Sequence, residues 1–254
     1  MKVVILIPTY NESENIGKLL LDIDKRIERL KKYEFGVLVV DDNSPDGTGE
    51  IVRQFKSKFS DLVLLTGRKE GLGVAMVRGY KNAITKMKAD VVITNEADFA
   101  FDFKHLPYML KKIDEGVDVV VGSRHVGVGK TEGWTKSRIL NHWVANKLFA
   151  TWIAGVDEVY DHNGAFRAIR VRGVLDKVNW KKMPKGFGFF FCSLYELTRY
   201  TTKFDEFPVT YRFRERGESK VSFNPKYVST YARDVMEYIR MAFKIRLEKY
   251  KIDL

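Results

Sequence analysis

Residues 3–12 read VVILIPTYNE: five apolar residues with high strand propensity lead directly into a polar turn. The residues after the turn carry apolar side chains near helical spacing, at Ile16, Leu19, Leu20, Ile23, Ile27 and Leu30. A strand followed by an amphipathic helix is the repeating unit of sheets whose strands are joined by helical crossovers. The stretch therefore predicts one β-α unit.

The same unit recurs through the first half of the chain. Short apolar runs occur at 3–7, 36–40, 61–65, 91–94 and 117–121, and helix-like segments lie between them at 14–32, 46–59, 73–86 and 106–115. This alternation predicts an α/β fold with a mostly parallel, Rossmann-like central sheet and helices on both faces. The runs are apolar throughout, as expected for strands that are buried on both faces.

The second half is less regular. We expect a loop over 123–137, a helix over 137–154, a strand and short helix over 161–175, a helix over 187–200, a strand over 207–213 and a basic loop over 214–222. Asn224 and Pro225 form a good helix start. The sequence thus predicts one main domain over residues 1–222 and a C-terminal amphipathic, basic helix over 223–254.

Composition limits the partners and the location. The 254 residues include 44 Lys and Arg against 33 Asp and Glu, so the net charge is +11. That excess indicates either a well-solvated surface or an anionic partner. A single cysteine, Cys192, fits a reducing cytoplasm. We find no secretion signal and no run near the ~20 apolar residues of a membrane span, so we expect a cytoplasmic protein.

Polar clusters follow the predicted strands, at residues 8–12, 41–44, 67–69, 96–98 and 122–124. Because the carboxyl ends of parallel strands share one edge, we expect these clusters to line one cleft. The chain has no GxGxxG turn, no GxxxxGK[ST] phosphate loop and no GxSxG nucleophile elbow. Its four histidines are scattered singly and give no zinc-site spacing.

Seven motifs then occur in order: IPTYNE, VVDDNSPDGT, GLGVAMVRG, an acidic pair after the fourth strand, GSR, DHNGAFRAIR and RERGESK. In this combination, residues 3 to about 222 resemble the family 2 glycosyltransferases with a GT-A fold, most closely the polyprenol-phosphate (dolichol-phosphate) mannosyltransferase branch. The resemblance implies an inverting enzyme that moves a sugar from a nucleotide-sugar, GDP-mannose, to a polyprenyl (dolichyl) phosphate.

The resemblance also assigns donor-binding residues. It places the nucleotide-sugar on Pro8, Tyr10, Glu12, Asp41, Asp42, Lys69, Gly71, Glu96, Ala97 and Asp98. In this assignment Asp41 hydrogen-bonds the base, because a carboxylate accepts from N–H groups. The alternative for residues 41–44 is a turn followed by a helix cap, which fits Ser44 and Asp46 better than Asp41.

Glu96 and Asp98 fall on the DxD motif of that family, which implies a Mg²⁺ or Mn²⁺ ion on the diphosphate. The chain departs from the motif because its first acid is Glu, which moves the carboxylate oxygens by roughly one bond length. For Asp102, four residues beyond Asp98, we expect a solvated loop acid.

Basic residues complete the assignment. The resemblance places cations that face the phosphates at Arg124, Arg138, Arg214 and Lys220, and it puts Arg167 on the acceptor side. It implies that catalysis rests on Asp98, Arg124, Arg214 and Lys220. Cations over a diphosphate supply binding and stabilise the charge that develops in the transition state.

A second departure concerns the acceptor. Members with a hydroxyl acceptor place an acidic base where this chain has Cys192, and the nearest acid is Glu196, one helical turn later. A phosphate acceptor is already an anion and needs no base, so the departure favours a lipid phosphate. The aromatic run Phe187 and 189–191 is expected in the core rather than in a lipid slot.

Several alternatives stay open from the sequence. The donor is alternatively a UDP-sugar, the acceptor a sugar hydroxyl, or the chain a nucleotide-sugar-binding protein with impaired catalysis. The C-terminal helix either packs on the domain or makes a peripheral contact with an anionic membrane on the cytoplasmic face. Nucleic-acid binding is supported only by the net charge and by no recognition motif. We therefore expect no nucleic-acid partner.

Overall fold

A seven-stranded sheet forms the centre of the protein, in a computed structural model that describes residues 1–186, 188–212 and 228–250. Its strands are β1 (Lys2–Thr9), β2 (Glu34–Asp41), β3 (Leu62–Thr66), β4 (Val91–Thr94), β5 (Val119–Ser123), β7 (Arg167–Arg170) and β8 (Phe204–Pro208), in the order β3-β2-β1-β4-β7-β5-β8. Two further strands, β6 (Lys130–Glu132) and β9 (Thr210–Arg212), form a separate small sheet.

Helices connect the strands. They are α1 (Ser13–Ile27), α2 (Thr48–Gln54), α3 (Leu72–Thr85), α4 (Leu106–Asp114), α5 (Lys136–Trp143), α6 (Phe189–Thr198) and α7 (Val228–Tyr250). Short 3₁₀ turns lie at Phe103–His105, Leu175–Lys177 and Trp180–Lys182. The predicted alternation of strands and helices in the first half is confirmed, with boundaries that shift by a few residues.

The parallel part of the sheet is the part that the apolar runs predicted. Ile5 in β1 is in register with Val37 on one side and Ile93 on the other. All three side chains are fully buried, as expected for strands covered by helices on both faces. β7 is antiparallel to β4 and β5, so the prediction of a mostly parallel sheet is confirmed with this one antiparallel strand inside it.

The structure has a strand pair where the sequence predicted a loop over 123–137 and a single strand over 207–213. The loop contains β6, which pairs in parallel with β9, and the strand is divided into β8 and β9. Pro208, at the end of the edge strand β8, has no N–H to donate to a ladder. Val209 then bonds Ser123 through its N–H and Lys130 through its carbonyl, which turns the chain from one sheet to the other.

The helix predicted over 137–154 changes its geometry partway. α5 continues into a ten-residue π-helix, Val144–Ile153, whose wider turns close i→i+5 hydrogen bonds. Trp143 and Trp152 are nine residues apart, a separation that would place them on roughly opposite faces of an α-helix. Here their rings meet edge to face, with centroids 6.2 Å apart, and both are exposed.

The described part of α7 packs on the domain. Its buried residues Tyr238, Ala242 and Ile245 join the π-helix and α6 in a second hydrophobic cluster. The prediction that the aromatic run belongs to the core is confirmed for residues 189–191, which are buried, whereas Phe187 lies outside the described residues. The predicted domain boundary at 222/223 and the predicted helix start also lie outside them.

Within the described ranges, no helix combines the length and the apolar character that crossing a bilayer requires.

The GLG turn before α3 yields a stability prediction. A Cβ on Gly73 would lie 2.1 Å from the carbonyl oxygen of Pro184, a backbone atom that cannot move aside cheaply. We expect Gly73→Ala to lower the free energy of unfolding by roughly 1–3 kcal/mol, measured by urea titration. Gly49→Ala in α2 is the control, because its Cβ would meet nothing nearer than 3.7 Å. Equal stabilities of the two variants would contradict the close approach.

Candidate active site

The tips of β1 and β2 are tied together by side-chain hydrogen bonds. The Asn11 N–H donates to Ser44 Oγ at 2.9 Å, and the Ser13 N–H donates to Asp46 Oδ2 at 2.9 Å. Asn11 and Asn43 both take left-handed backbone angles, with φ of 57° and 51°, which Asn tolerates better than most residues. The two turns therefore form one braced edge at the carboxyl ends of the strands.

Asp41 lies inside this edge. Its carboxylate accepts from Thr9 Oγ1 at 3.0 Å, from the Ser44 N–H at 3.0 Å and from Ser44 Oγ. Asp46 accepts from the N–H and the hydroxyl of Thr48, so it closes the turn before α2, whose N-cap residue is Gly47. Asp41 thus shapes the turn itself, and its contact with a nucleotide base stays a prediction.

Asp42 is the neighbouring buried acid, and it pairs with Arg78 of α3. Burial raises the pKa of Asp42, and the Arg78 guanidinium opposes that rise. The ion pair fixes the predicted ribose-side carboxylate to the helix that follows the GLG turn. Gly71 in that turn has φ +121°, and its backbone lies against the carbonyl of Lys185.

Tyr10 and Lys69 meet over the same edge. The Lys69 ammonium lies 3.5 Å from the centroid of the Tyr10 ring, a short cation–π contact. Glu12 is buried at the start of α1, where its carboxylate accepts from Asn15 Nδ2 at 2.8 Å and its N–H donates to Thr48 Oγ1 at 3.0 Å. Tyr10 and Lys69 therefore present groups at the cleft, while Glu12 braces the turn behind it.

The acidic pair follows β4. The Glu96 N–H donates to the Asn95 side chain at 2.8 Å, and Asp98 Oδ1 accepts from the Ala100 N–H at 3.1 Å. Burial, together with the charges of Glu96 and Asp98, raises the pKa of the Tyr211 hydroxyl. Both carboxylates follow β4 directly, and both are near enough to the Tyr211 phenol to act on it electrostatically.

Asp102 does not join the acidic pair. Its carboxylate accepts from the Lys104 N–H at 2.7 Å, which caps a 3₁₀ turn, and it lies 2.9 Å from Arg26 of α1. The predicted loop role of Asp102 is confirmed, with the addition of this cap and ion pair.

Arg124 is the buried cation of the site. Its Nε and Nη2 donate to the two oxygens of Asp161, each at 2.7 Å, and its backbone N–H donates to Asp161 Oδ2 at 3.0 Å. The guanidinium holds the pKa of Asp161 far below its usual range despite full burial. Both residues are nearly inaccessible to solvent, so the fork fixes the Arg124 side chain rigidly.

Aromatic rings enclose this cation on several sides. The guanidinium carbon of Arg124 lies 5.5 Å from the rings of Trp134 and Tyr211 and 5.9 Å from Phe101. Arg138 lies 4.6 Å from the same Trp134 ring. Two of the predicted phosphate-facing cations, Arg124 and Arg138, thus contact Trp134. Tyr211 contacts Arg124 and also lies in the field of the acidic pair.

The other predicted cations lie differently. Arg167 is 1% exposed, and it donates to the carbonyls of Phe190 at 2.8 Å and His162 at 2.7 Å. Burial lowers the pKa of Arg167 to about 10, so it stays charged at neutral pH. This places Arg167 beneath the site, where it ties β7 to α6. Arg214 and Lys220 lie outside the described residues.

Neither residue near the missing base position resembles a general base. Cys192 is buried, and burial raises the pKa of its thiol. Glu196 is buried too, and its carboxylate accepts from the Asn179 N–H at 3.3 Å and from the Tyr200 hydroxyl at 3.1 Å. Glu196 therefore anchors the segment before α6.

Sequence reasoning missed Asp161, Trp134 and Tyr211, and it gave no sign that two of the four histidines lie together in the fold. His125 and His142 stack with ring centroids 5.1 Å apart, and with Asp161 they offer three metal-ligating atoms within 4.8 Å of one another. Residues 17 and 19 positions apart give no recognisable spacing motif, because the end of β5, α5 and a later loop bring them together. The motif DHNGAFRAIR, which begins at Asp161, was the one sequence feature that pointed to this residue.

The third histidine of this region, His162, makes stability depend on pH. Burial lowers the pKa of His162 from 6.5 to about 4, so the unfolded chain takes up a proton before the folded protein does. Stability is therefore full above pH 6.5 and falls toward pH 4, by on the order of 3 kcal/mol from this group. Urea titrations should show a shallower pH slope for His162→Gln than for the wild type. Parallel slopes would contradict this assignment.

The chain matches a protein family model and several curated relatives. The family model "Glycosyl transferase family 2" matches residues 4–176. The dolichol-phosphate mannosyltransferase of Pyrococcus furiosus is 32% identical over 253 residues, which is 100% of this chain and 66% of the relative. The undecaprenyl-phosphate mannosyltransferase of Micrococcus luteus is 33% identical over 226 residues, 87% of this chain and 88% of the relative.

Among solved structures, glucosyl-3-phosphoglycerate synthase from Mycobacterium tuberculosis, in complex with Mn²⁺, UDP and phosphoglyceric acid, superposes with a TM-score of 0.68. It is 16% identical, and the match covers 95% of this chain and 78% of the synthase. At that identity the likeness shows the fold alone. The chain spans about two thirds of the Pyrococcus relative, at 66% of its length.

Proposed function

The chain belongs to glycosyl transferase family 2 and has the GT-A fold, and on that premise we propose that it transfers mannose from GDP-mannose to a polyprenyl phosphate. The observation that carries the proposal is the meeting of the acidic pair Glu96 and Asp98 with Arg124 and Arg138 around Trp134 and Tyr211. Carboxylates for a diphosphate-bound cation and guanidiniums for phosphates are the groups that this reaction needs.

The donor half of the proposal rests on the braced edge of β1 and β2. Asp41 and Asp42 are buried there with their carboxylates held by Ser44 and Arg78, and Tyr10 with Lys69 covers the opening. A preorganised edge with acceptor carboxylates and one cation suits a base, a ribose and the first phosphate.

The acidic pair fits a Mg²⁺ or Mn²⁺ ion in chemical type. Both side chains offer hard carboxylate oxygens, and a partly exposed Glu96 beside a buried Asp98 leaves room for diphosphate oxygens as further ligands. A bound dication there neutralises charge on the departing nucleoside diphosphate. In this proposal Glu96 and Asp98 hold the ion, and the first-position Glu is accommodated by its greater exposure.

The chemical step is a displacement at the anomeric carbon. An oxygen of the acceptor phosphate forms a bond to that carbon as the bond to the diphosphate oxygen breaks, so the configuration inverts and GDP leaves. Arg124 and Arg138 balance the negative charge of the incoming phosphate. No proton has to be removed from a phosphate anion, which agrees with the buried, high-pKa Cys192 at the usual base position.

A lipid acceptor requires access to a membrane, and the exposed face of α5 and the π-helix supports this part of the proposal. Leu140 and Trp152 are 60% and 62% exposed, and Trp143 contacts Trp152 on the same side. Tryptophan is favoured at the membrane interface, and a net charge of +11 favours an anionic leaflet. We therefore place the peripheral contact with the cytoplasmic leaflet here rather than on α7.

Vesicle binding tests this surface. The double variant Trp143→Ser/Trp152→Ser is expected to lower affinity for anionic phospholipid vesicles about tenfold or more, because two large apolar side chains no longer insert. Met236→Ser/Phe243→Ser removes matched exposed apolar side chains from α7 and should bind like the wild type. If co-sedimentation shows weaker vesicle binding for Met236→Ser/Phe243→Ser and wild-type binding for Trp143→Ser/Trp152→Ser, the membrane contact lies on α7 instead.

The donor is tested by ligand-induced stabilisation. A panel of GDP- and UDP-sugars with and without Mn²⁺ should raise the melting temperature most for GDP-mannose with Mn²⁺. Stabilisation by a UDP-sugar instead would support the alternative donor. Binding without metal and without turnover would support a nucleotide-sugar-binding protein with impaired catalysis.

A further inference from the structure

A second cluster of ligating side chains lies next to Arg124 and is separate from the acidic pair. His125 follows Arg124 after β5, His142 lies near the end of α5, and Asp161 lies in the loop before β7. We propose that His125, His142 and Asp161 form a second metal site, which takes a borderline cation such as Zn²⁺ or Co²⁺ rather than Mg²⁺.

The geometry is close to that of such a site. The three ligating atoms lie within 4.8 Å of one another. Bonds of about 2.0–2.2 Å in a tetrahedral site bring ligand atoms to roughly 3.4 Å from one another, so each side chain has to move by about 1 Å. His125 is exposed and free to make that adjustment, while Asp161 is held in place by Arg124.

The donor set decides which cation is preferred. Two imidazoles and one carboxylate suit Zn²⁺ and Co²⁺, whereas Mg²⁺ prefers an all-oxygen shell such as the acidic pair and a diphosphate. The protonation state of His142 also agrees, because burial lowers the pKa of His142 well below 6.5 and keeps its ring neutral. Asp161 is ionised because Arg124 holds its pKa low.

Asp161 retains capacity for a metal despite its ion pair. Among the described residues, Oδ2 accepts two hydrogen bonds from Arg124 and Oδ1 accepts one. A carboxylate has about four acceptor sites, so Oδ1 keeps one that a cation can use. The positive Arg124 opposes a nearby dication, and the site is therefore expected to bind less tightly than a structural zinc site.

Neighbouring residues hold the His142 ring. Asn146, in the first turn of the π-helix, donates to the His142 carbonyl at 2.8 Å, and its Nδ2 lies 3.2 and 3.3 Å from the two ring nitrogens. Because Asn146 Nδ2 is almost equally far from the two ring nitrogens of His142, it does not lie along the lone pair of either nitrogen. Trp134 contacts the ring edge to face at a centroid distance of 5.1 Å. Groups that orient a ligand in this way support metal binding.

Co²⁺ binding to the full chain at saturating Mg²⁺ tests the site without any transfer assay. We expect one equivalent of Co²⁺ to give the strong visible bands of a four-coordinate complex and Zn²⁺ to displace it. His125→Gln and His142→Gln should lose the bands, whereas Asp98→Asn and the control His105→Gln should keep them. Circular dichroism checks that each variant is folded.

Two results would overturn the proposal. One is a wild-type protein that binds neither Co²⁺ nor Zn²⁺ under Mg²⁺ saturation, and the other is binding that survives in both His125→Gln and His142→Gln. A Zn²⁺-induced rise in melting temperature, present in the wild type and absent in folded His142→Gln, gives an independent readout. Failure here would leave the proposed transferase activity untouched, because neither readout depends on sugar transfer.

Discussion

Asp98→Asn is expected to lower kcat for mannosyl transfer about 10³-fold, because a metal that neutralises the leaving diphosphate contributes on the order of 4 kcal/mol to the transition state. Asn keeps an oxygen for the Ala100 N–H, which Asp98 Oδ1 binds at 3.1 Å, so the turn should fold normally. The variant therefore isolates the charge of the carboxylate from its structural bond. The measurement is the initial rate at saturating donor and Mn²⁺.

Asp102→Asn is the matched control for that result. Asp102 lies four residues further along, carries the same carboxylate and caps a 3₁₀ turn instead of facing the acidic pair. Its kcat should stay within about twofold of the wild type, and its stability should change by no more than about 1 kcal/mol, because Asn caps about as well as Asp and the lost ion pair with Arg26 is partly exposed. Wild-type kcat in Asp98→Asn, or an equal loss in both variants, would contradict the role of the acidic pair.

The second large effect is expected at the buried ion pair. Asp161→Asn should lower the free energy of unfolding by about 3–5 kcal/mol, because Arg124 would stay buried without its counter-charge. It should also lower kcat/KM about 10²-fold or more, since the fork that aims the guanidinium is lost. Urea titration and initial rates measure the two effects separately.

A double variant distinguishes stability from function at this pair. Arg124→Met/Asp161→Leu replaces the pair by apolar residues of similar size, which often restores stability at buried ion pairs. We expect the double variant to regain most of the stability and none of the activity. Glu50→Gln, which removes the exposed partner of Arg53, is the control and should change neither quantity measurably. Recovered activity in the double variant would show that Arg124 has no role in transfer.

Most of the fold was predictable because periodicity is a local property. The first strand and helix are recognisable from VVILI at residues 3–7 and the stripe of Ile16, Leu19 and Leu20, and all of these side chains are buried as the pattern requires. The π-helix and the small β6-β9 sheet were not predictable. Their formation depends on packing and on a proline at an edge, which a hydrophobic pattern does not report.

The site was predictable where its residues follow strands directly. Asp41, Glu96, Asp98 and Arg124 all come at strand ends, which share one edge of a parallel sheet. The partners that hold them were missed, because Asp161 lies 37 residues from Arg124 in sequence and Trp134 and Tyr211 lie on different segments. The same separation hid the cluster of His125, His142 and Asp161.

The structure places two of the basic residues that the resemblance assigned to the acceptor side in different surroundings. Arg138 lies on the Trp134 ring beside Arg124, and its contact with a phosphate stays a prediction. Arg167 lies in the motif GAFR, but its guanidinium donates to the backbone carbonyls of Phe190 and His162. Burial is a tertiary property, and a motif does not reveal whether a cation lies on a cleft or under it.

Product formation from GDP-mannose and a polyprenyl phosphate tests the central claim most directly. Purified protein with Mn²⁺, radiolabelled GDP-mannose and a polyprenyl phosphate in detergent should yield a lipid-linked mannosyl phosphate whose anomeric configuration is opposite to that of the donor. The product should be absent when the lipid carries a free hydroxyl in place of the phosphate. Absence of labelled lipid with every GDP- and UDP-sugar, or a product that retains the configuration of the donor, would contradict the account.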